Sequence, residues 1–102
     1  MSGNKRITWL TKAVADLARL REFIRVNNPD AAERAGKRIS KAINSISAHP
    51  AIGRPVLDIK QNQAFRDVFI PFAQGGYWLR YAVTDHEIII VRLWHGRENR
   101  DE

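Results

Sequence analysis

The chain has 102 residues, no cysteine, and 17 Lys and Arg against 11 Asp and Glu, which gives a pI near 10.3. That length predicts a single domain, residues 1–102. The missing thiol excludes disulfides and thiolate–metal scaffolds, and no apolar run reaches the roughly 18 residues of a membrane span.

The net charge of +6 draws polyanions by summed potential, whether nucleic acid, ribosome or an acidic protein segment. The same charge also serves plain solubility. No signal peptide is visible, so the expected location is the cytoplasm and no membrane partner is expected.

"KRITWL" (Lys5 to Leu10) alternates as a short strand. Thr11 offers a helix N-cap, and Ala13, Leu17, Leu20 and Ile24 form an apolar stripe with Lys12, Asp16, Arg19 and Glu22 largely off it. "VNNPDAAER" ends that helix and starts the next: Asn28 is the expected cap, Pro29 suits the first helical position, and Asp30 favours the positive end of the dipole. Ala32, Ala35, Ile39, Ala42, Ile43 and Ile46 are the second buried stripe, with Asp30–Arg34 and Glu33–Lys37 as flanking i,i+4 pairs. Small residues at Ala32, Ala35 and Gly36 predict a close antiparallel helix hairpin, which Pro50 ends.

His49 to Ala64 reads as a loop punctuated by Gly53 and prolines. Three strands are predicted after it: Arg66–Phe72, Tyr77–Val83 and Glu87–His95, joined by "AQGG" and "TDHE" into a meander. The order is βααβββ, an α+β fold with the N-terminal strand and the helix hairpin packed on one face of a small, mainly antiparallel sheet.

Side chains alternate along strands, so a register with Phe72 opposite Tyr77 and Val83 opposite Ile88 sorts the meander into two faces. Val68, Ile70, Phe72, Tyr77, Leu79, Tyr81, Val83, Ile88 and Ile90 form the core face. Asp67, Phe69, Trp78, Arg80, Ile89, Val91, Leu93 and His95 form the other. A sheet roofed by helices on one side should be polar on its outer face. This one carries apolar residues there, which predicts a cover: the loop His49–Ala64, a second copy, or a partner segment. Phe69, Trp78, Arg80, Val91, Leu93, His95 and Arg97 are the candidate partner-binding residues. Arg97 and Arg100 leave the sheet edge beside His95, joining cations to aromatic planes in a way that suits phosphate and stacked bases.

The isolated residues have plainer readings too. His49 suits a helix end and His86 a solvated hairpin tip, and the three histidines are too scattered for a metal site. No metal and no cofactor is expected. Trp9 reads as core and Trp94 falls on core parity, while Trp78 is the leading partner-contact residue. Arg34, Lys37, Arg38 and Lys41 read as a solvated helix face.

"AVADLARLREFI", "NNPDAAER", "HPAIGRP" and "GYWLRYAVTDHEIIIVRLWHGREN" together resemble the ParE/RelE superfamily of bacterial toxins, the toxin halves of type II toxin–antitoxin pairs. The resemblance runs from about Arg6 to Arg100, and "NNPDAAER" and "HPAIGRP" look more like the ParE branch. It implies a plasmid-stabilising toxin that inhibits DNA gyrase. It also implies neutralisation by a cognate antitoxin with an acidic binding segment, in a possible toxin–antitoxin heterotetramer. The RelE branch implies the alternative, a ribosome-dependent mRNA endoribonuclease with His95, Arg66 and Arg97 as its catalytic candidates. Metal-free cleavage needs an acid, a base and cations for the phosphorane. In a well-known member of that branch an arginine follows the aromatic of the "GY" pair, whereas Trp78 stands there here. A third alternative is a non-toxic member that serves as a binding module.

Overall fold

In the computed structural model, which describes residues 5–58 and 63–98, strand β1 (Arg6–Trp9) turns Ile7 and Trp9 onto the core and ends where the Leu10 amide donates to the Ile90 carbonyl. Helix α1 (Thr11–Asn27) follows without a side-chain cap: Leu10 takes the extended cap position, and Thr11 is already helical rather than the expected cap. Ala13 and Leu20 are buried and Leu17 and Ile24 pack beside them, as their spacing predicts. Asp16 departs from expectation, being 2% exposed.

Helix α2 (Pro29–Ala48) starts on the Asn28 side chain, which accepts from the Ala31 amide at 3.1 Å, with Pro29 in its first turn. Its stripe Ala32, Ala35, Ile39, Ile43 and Ile46 is buried. The expected Asp30–Arg34 and Glu33–Lys37 pairs do not form; the exposed intrahelical pair among the described residues is Arg25–Glu22 in α1. Ala32 and Ala35 are buried in the hairpin. Gly36 is not part of that close approach, because a Cβ built on it would meet nothing within 4 Å.

A 3-10 turn (Pro50–Ile52) leads into β2 (Arg54–Asp58), β3 (Gln63–Phe72), β4 (Gly75–Val83) and β5 (Glu87–His95). The sheet order is β1-β5-β4-β3-β2, with β1 parallel to β5 and the other neighbours antiparallel. This is the expected α+β arrangement with one strand more. The segment read as a loop supplies β2 and the first residues of β3; residues 59–62 within it lie outside the description. As an edge strand, β2 is held by backbone pairing to β3 rather than by burying a face, and its Leu57 is 63% exposed.

Both helices roof one face of the sheet. Ile46, Leu79, Tyr81, Ile88, Ile90 and Leu93 lie there fully buried, each apolar side chain worth about 1.5–3 kcal/mol against exposure. In the β3–β4 hairpin Ile70 faces Tyr77 and Phe72 faces Gly75. The pairing is two residues from the expected one, and an even offset leaves every side chain on its expected face. Ala73 and Gln74 make the turn, Ala73 with φ of 56°. A Cβ on Gly76 would lie 2.4 Å from the Ile70 carbonyl oxygen, so the hairpin closes this tightly only over glycine.

Candidate functional site

The β4–β5 pairing starts as expected, Val83 opposite Ile88 and Tyr81 opposite Ile90, and then slips: Arg80 faces Arg92, with a bulge that leaves Val91 as the extra residue. From there on, β5 shows the opposite faces to those expected. Leu93 faces Leu79 in the core with 0% exposure, so it is not available to a partner. His95 faces Tyr77 on the helix side, its ring meeting the Tyr77 ring edge-on at 5.9 Å, and does not join the outer face. Trp94, expected on core parity, faces Trp78 on the outer side and is nonetheless buried.

The burial of Trp94 follows from what stacks on it. The Arg80 guanidinium lies 5.2 Å from the Trp94 ring and 5.9 Å from the Phe65 ring, and donates to both Asp67 oxygens at 2.8 and 3.0 Å. The Arg92 guanidinium lies 4.8 Å from the same tryptophan. Phe65, Arg80, Trp94 and Arg92 thus alternate ring and cation across three strands, a contact that strengthens as water is excluded. Beside this ladder Phe69 and Trp78 pack at 5.0 Å between ring centres, Phe69 43% exposed and Trp78 half-buried. Ile89 and Val91 are half-buried on the same side. The 3-10 turn and β2 extend the sheet or face the helices, so the described part of His49–Ala64 is not the cover of this face.

Asp16 closes the ladder at the edge. β1 stops opposite Ile90, leaving the rest of β5 without a strand neighbour on that side. Asp16 takes the vacant role: Oδ2 accepts from the Leu93 amide at 3.0 Å and from Arg92 Nε at 2.7 Å, while Oδ1 accepts from Arg92 at 3.2 Å and from Arg19 at 2.9 Å. Burial pushes this carboxyl's pKa up. The bonds from Arg92, Leu93 and Arg19 outweigh it and hold the group below the ordinary value of 3.8.

Arg66 sits elsewhere. It faces Tyr81 and donates to the Gly53 and Ala51 carbonyls at 2.7 and 3.2 Å. The Tyr81 hydroxyl accepts from the Gly53 amide at 2.9 Å and donates to the Pro50 carbonyl at 2.7 Å. Together they pin the 3-10 turn against the sheet. His95 faces Tyr77, four residues along β4, so Arg66 and His95 are about 13 Å apart along the strand and about 10 Å across it.

At the other end, α1, the β3–β4 turn and the end of β5 enclose a groove of about 700 Å³. Leu20, Phe23, Ile24, Phe72 and Tyr77 give it apolar walls, with Phe23 70% exposed at the mouth. His95, Arg97 and Glu98 form its rim with Arg19. Arg19 donates to both Glu98 oxygens at 3.0 Å, the His95 amide donates to Glu98 at 2.7 Å, and His95 Nδ1 accepts from the Arg97 amide at 3.2 Å. Burial raises the Tyr77 hydroxyl's pKa above its usual value of 10.0.

Of the expected residues, then, Phe69, Trp78, Arg80 and Val91 share the outer face, His95 and Arg97 share the groove rim, and Leu93 and Arg66 join neither. Arg100 lies outside the described residues. Sequence reasoning missed Phe65, Asp16 and Phe23. Nothing in the chain distinguishes Asp16 from a surface aspartate until β1 is seen to end at Trp9. An odd-numbered Phe65 on the parity of Asp67 and Phe69 was the available sign for the ladder, had β3 been started earlier.

A family model described as the ParE toxin of the type II toxin–antitoxin system parDE matches residues 7–100. Toxin RelE1 of Caulobacter vibrioides is 33% identical over 89 residues, covering 87% of this chain and 90% of that protein. Toxin RelE3 of the same organism is 30% identical over 89 residues, covering 87% and 91%. A solved structure of the chromosomal ParDE system from P. aeruginosa matches with TM-score 0.69 at 23% identity, over 92% of this chain and 98% of that one, a likeness of fold.

Proposed function

This chain belongs to the ParE toxin family of type II toxin–antitoxin systems, and from that premise we propose that it acts by binding rather than by catalysis, as an inhibitor of DNA gyrase neutralised by a cognate antitoxin. The observation that carries the reading is the dispersal of the catalytic candidates. Arg66 is committed to two carbonyls of the 3-10 turn, remote from His95. Acid–base cleavage of RNA needs those groups within reach of one phosphodiester. Poisoning a topoisomerase needs only a surface that binds it or its complex with DNA, and a chain of charge +6 carries the potential for that.

The target and the antitoxin both lie in the cytoplasm, and the described residues contain no helix long and apolar enough to cross a membrane. An acidic antitoxin segment that orders on binding covers the apolar surface that the fold leaves open, and two such pairs assemble as a heterotetramer. One observation favours the ribonuclease alternative: His95 and Arg97 stay adjacent on one groove rim. Inducing the chain in cells separates the two readings. Gyrase poisoning predicts filamentation with an SOS response and intact messages. Arrested translation with cut messages and no SOS response would overturn it.

A further inference from the structure

Both tyrosines of the chain are buried, and the fold uses the hydroxyl of one of them. Tyr81 donates to the Pro50 carbonyl and accepts from the Gly53 amide. Tyr77 is 3% exposed, yet its hydroxyl makes no hydrogen bond among the described residues. No sealed side-chain polar atom among those residues lacks a partner, so this hydroxyl opens onto the groove of about 700 Å³ that the Tyr77 ring lines. A buried O–H left without an acceptor costs free energy that a bound acceptor returns.

Two more uncommitted donors share that groove. His95 Nδ1 accepts from the Arg97 amide, which puts the proton of the neutral ring on Nε2. The Arg97 guanidinium is exposed and enters no ion pair among the described residues. The adjacent acid, Glu98, is taken up by Arg19 and by the His95 amide. Below these donors the walls are hydrocarbon, from Leu20, Ile24 and Phe72, with Phe23 at the mouth. A mostly apolar cleft with a few convergent polar groups is the common form of a small-molecule site. The convergent groups here are all donors and one is a cation, so they select a ligand that brings acceptors and negative charge.

We propose that this groove binds a small amphipathic carboxylate, its acyl or aryl body between Phe23 and Phe72 and its carboxylate on the Tyr77 hydroxyl, His95 Nε2 and the Arg97 fork. The site does not depend on the toxin's action on gyrase. It supplies the acceptor that Tyr77 lacks and a counter-charge for Arg97.

Titration calorimetry of the purified chain with decanoate and with 3-phenylpropionate tests this, and the tighter of the two assigns the body as acyl or aryl. Saturable binding of one molecule per chain is expected. Tyr77→Phe removes only an unbonded hydroxyl, so it should keep the wild-type melting temperature and bind roughly tenfold more weakly. Arg97→Gln, at an exposed position, should weaken binding by a similar factor and flatten its salt dependence. The alcohol matching the tighter acid keeps the body and loses the charge, and should bind roughly tenfold more weakly than the acid. Amide shifts in an NMR titration should centre on Tyr77, His95 and Arg97. The proposal is overturned if neither acid binds saturably, or if both variants keep wild-type affinity. It is equally overturned if the alcohol matches the acid, or if the shifts centre on Phe69 and Trp78 of the outer face.

Discussion

The helix-facing side of the sheet and its outer side bury their apolar side chains by different means. On the first, Leu79, Ile88, Ile90 and Leu93 meet the stripes of two helices, and water is displaced by hydrocarbon. On the second no helix arrives, and the rings of Phe65 and Trp94 are sheltered by Arg80 and Arg92, each fixed by a buried carboxylate, Asp67 or Asp16. No buried side-chain polar atom among the described residues lacks a partner. A one-layer roof therefore does not leave the far side of a sheet bare. A fixed lattice of guanidinium, ring and carboxylate shelters Phe65 and Trp94, while Phe69 is exposed and Trp78, Ile89 and Val91 are half-buried. The difference is also one of fragility, because a satisfied charged lattice fails sharply when one member is lost.

Removing the carboxylate that joins the two sides should have the largest effect. Asp16→Ala removes the carboxylate that Arg92 and the Leu93 amide both donate to, and is expected to cost about 3–5 kcal/mol in urea unfolding. The same group gives a pH signature. Its folded pKa lies below 3.8, so its contribution is fully present above that value and is lost as pH falls through the lower folded pKa. Asp16→Asn should flatten that acid limb; an unchanged acid limb would remove Asp16 from the lattice.

The bulge is tested next, by two neighbours. Leu93→Ala should cost about 2–5 kcal/mol as a core truncation. Val91→Ala, half-buried at the bulge, should cost less than about 1.5 kcal/mol. The reverse order would mean that β5 keeps its parity without a slip. Gly53→Ala places a methyl 2.7 Å from the Tyr81 hydroxyl and should cost about 1–3 kcal/mol. Smallest is Arg80→Lys, which keeps the charge but loses the planar fork between two rings. It should cost about 1 kcal/mol, read as a lowered urea midpoint with an unchanged slope.

The parts of this fold that could be read in the sequence are those that bury one stripe or one alternating face. Both helices, the Asn28 cap, β4 and β5 carry that periodicity, and the outer-face placement of Phe69, Trp78 and Arg80 follows from it. β2 lacks it, because an edge strand containing Pro55 and an exposed Leu57 is defined by pairing with β3 and buries little. The slip at Val91 falls inside the run Ile88–Val91, where four aliphatic residues read the same in either parity. That slip moved Leu93, His95 and Trp94 to the faces opposite those expected. Arg66 looked like a phosphate ligand because a free arginine and one spent on carbonyls are identical in sequence. His95 and Arg97 keep the proximity expected of residues two apart, on one groove rim.

The most direct measurement is a gyrase cleavage assay with the purified chain and with His95→Ala. Binding without acid–base chemistry predicts that both proteins trap cleaved DNA on gyrase to a similar extent, and that neither cuts message in purified ribosomes. A wild-type chain that leaves gyrase untouched but cuts ribosome-bound message, with His95→Ala inactive, would contradict it.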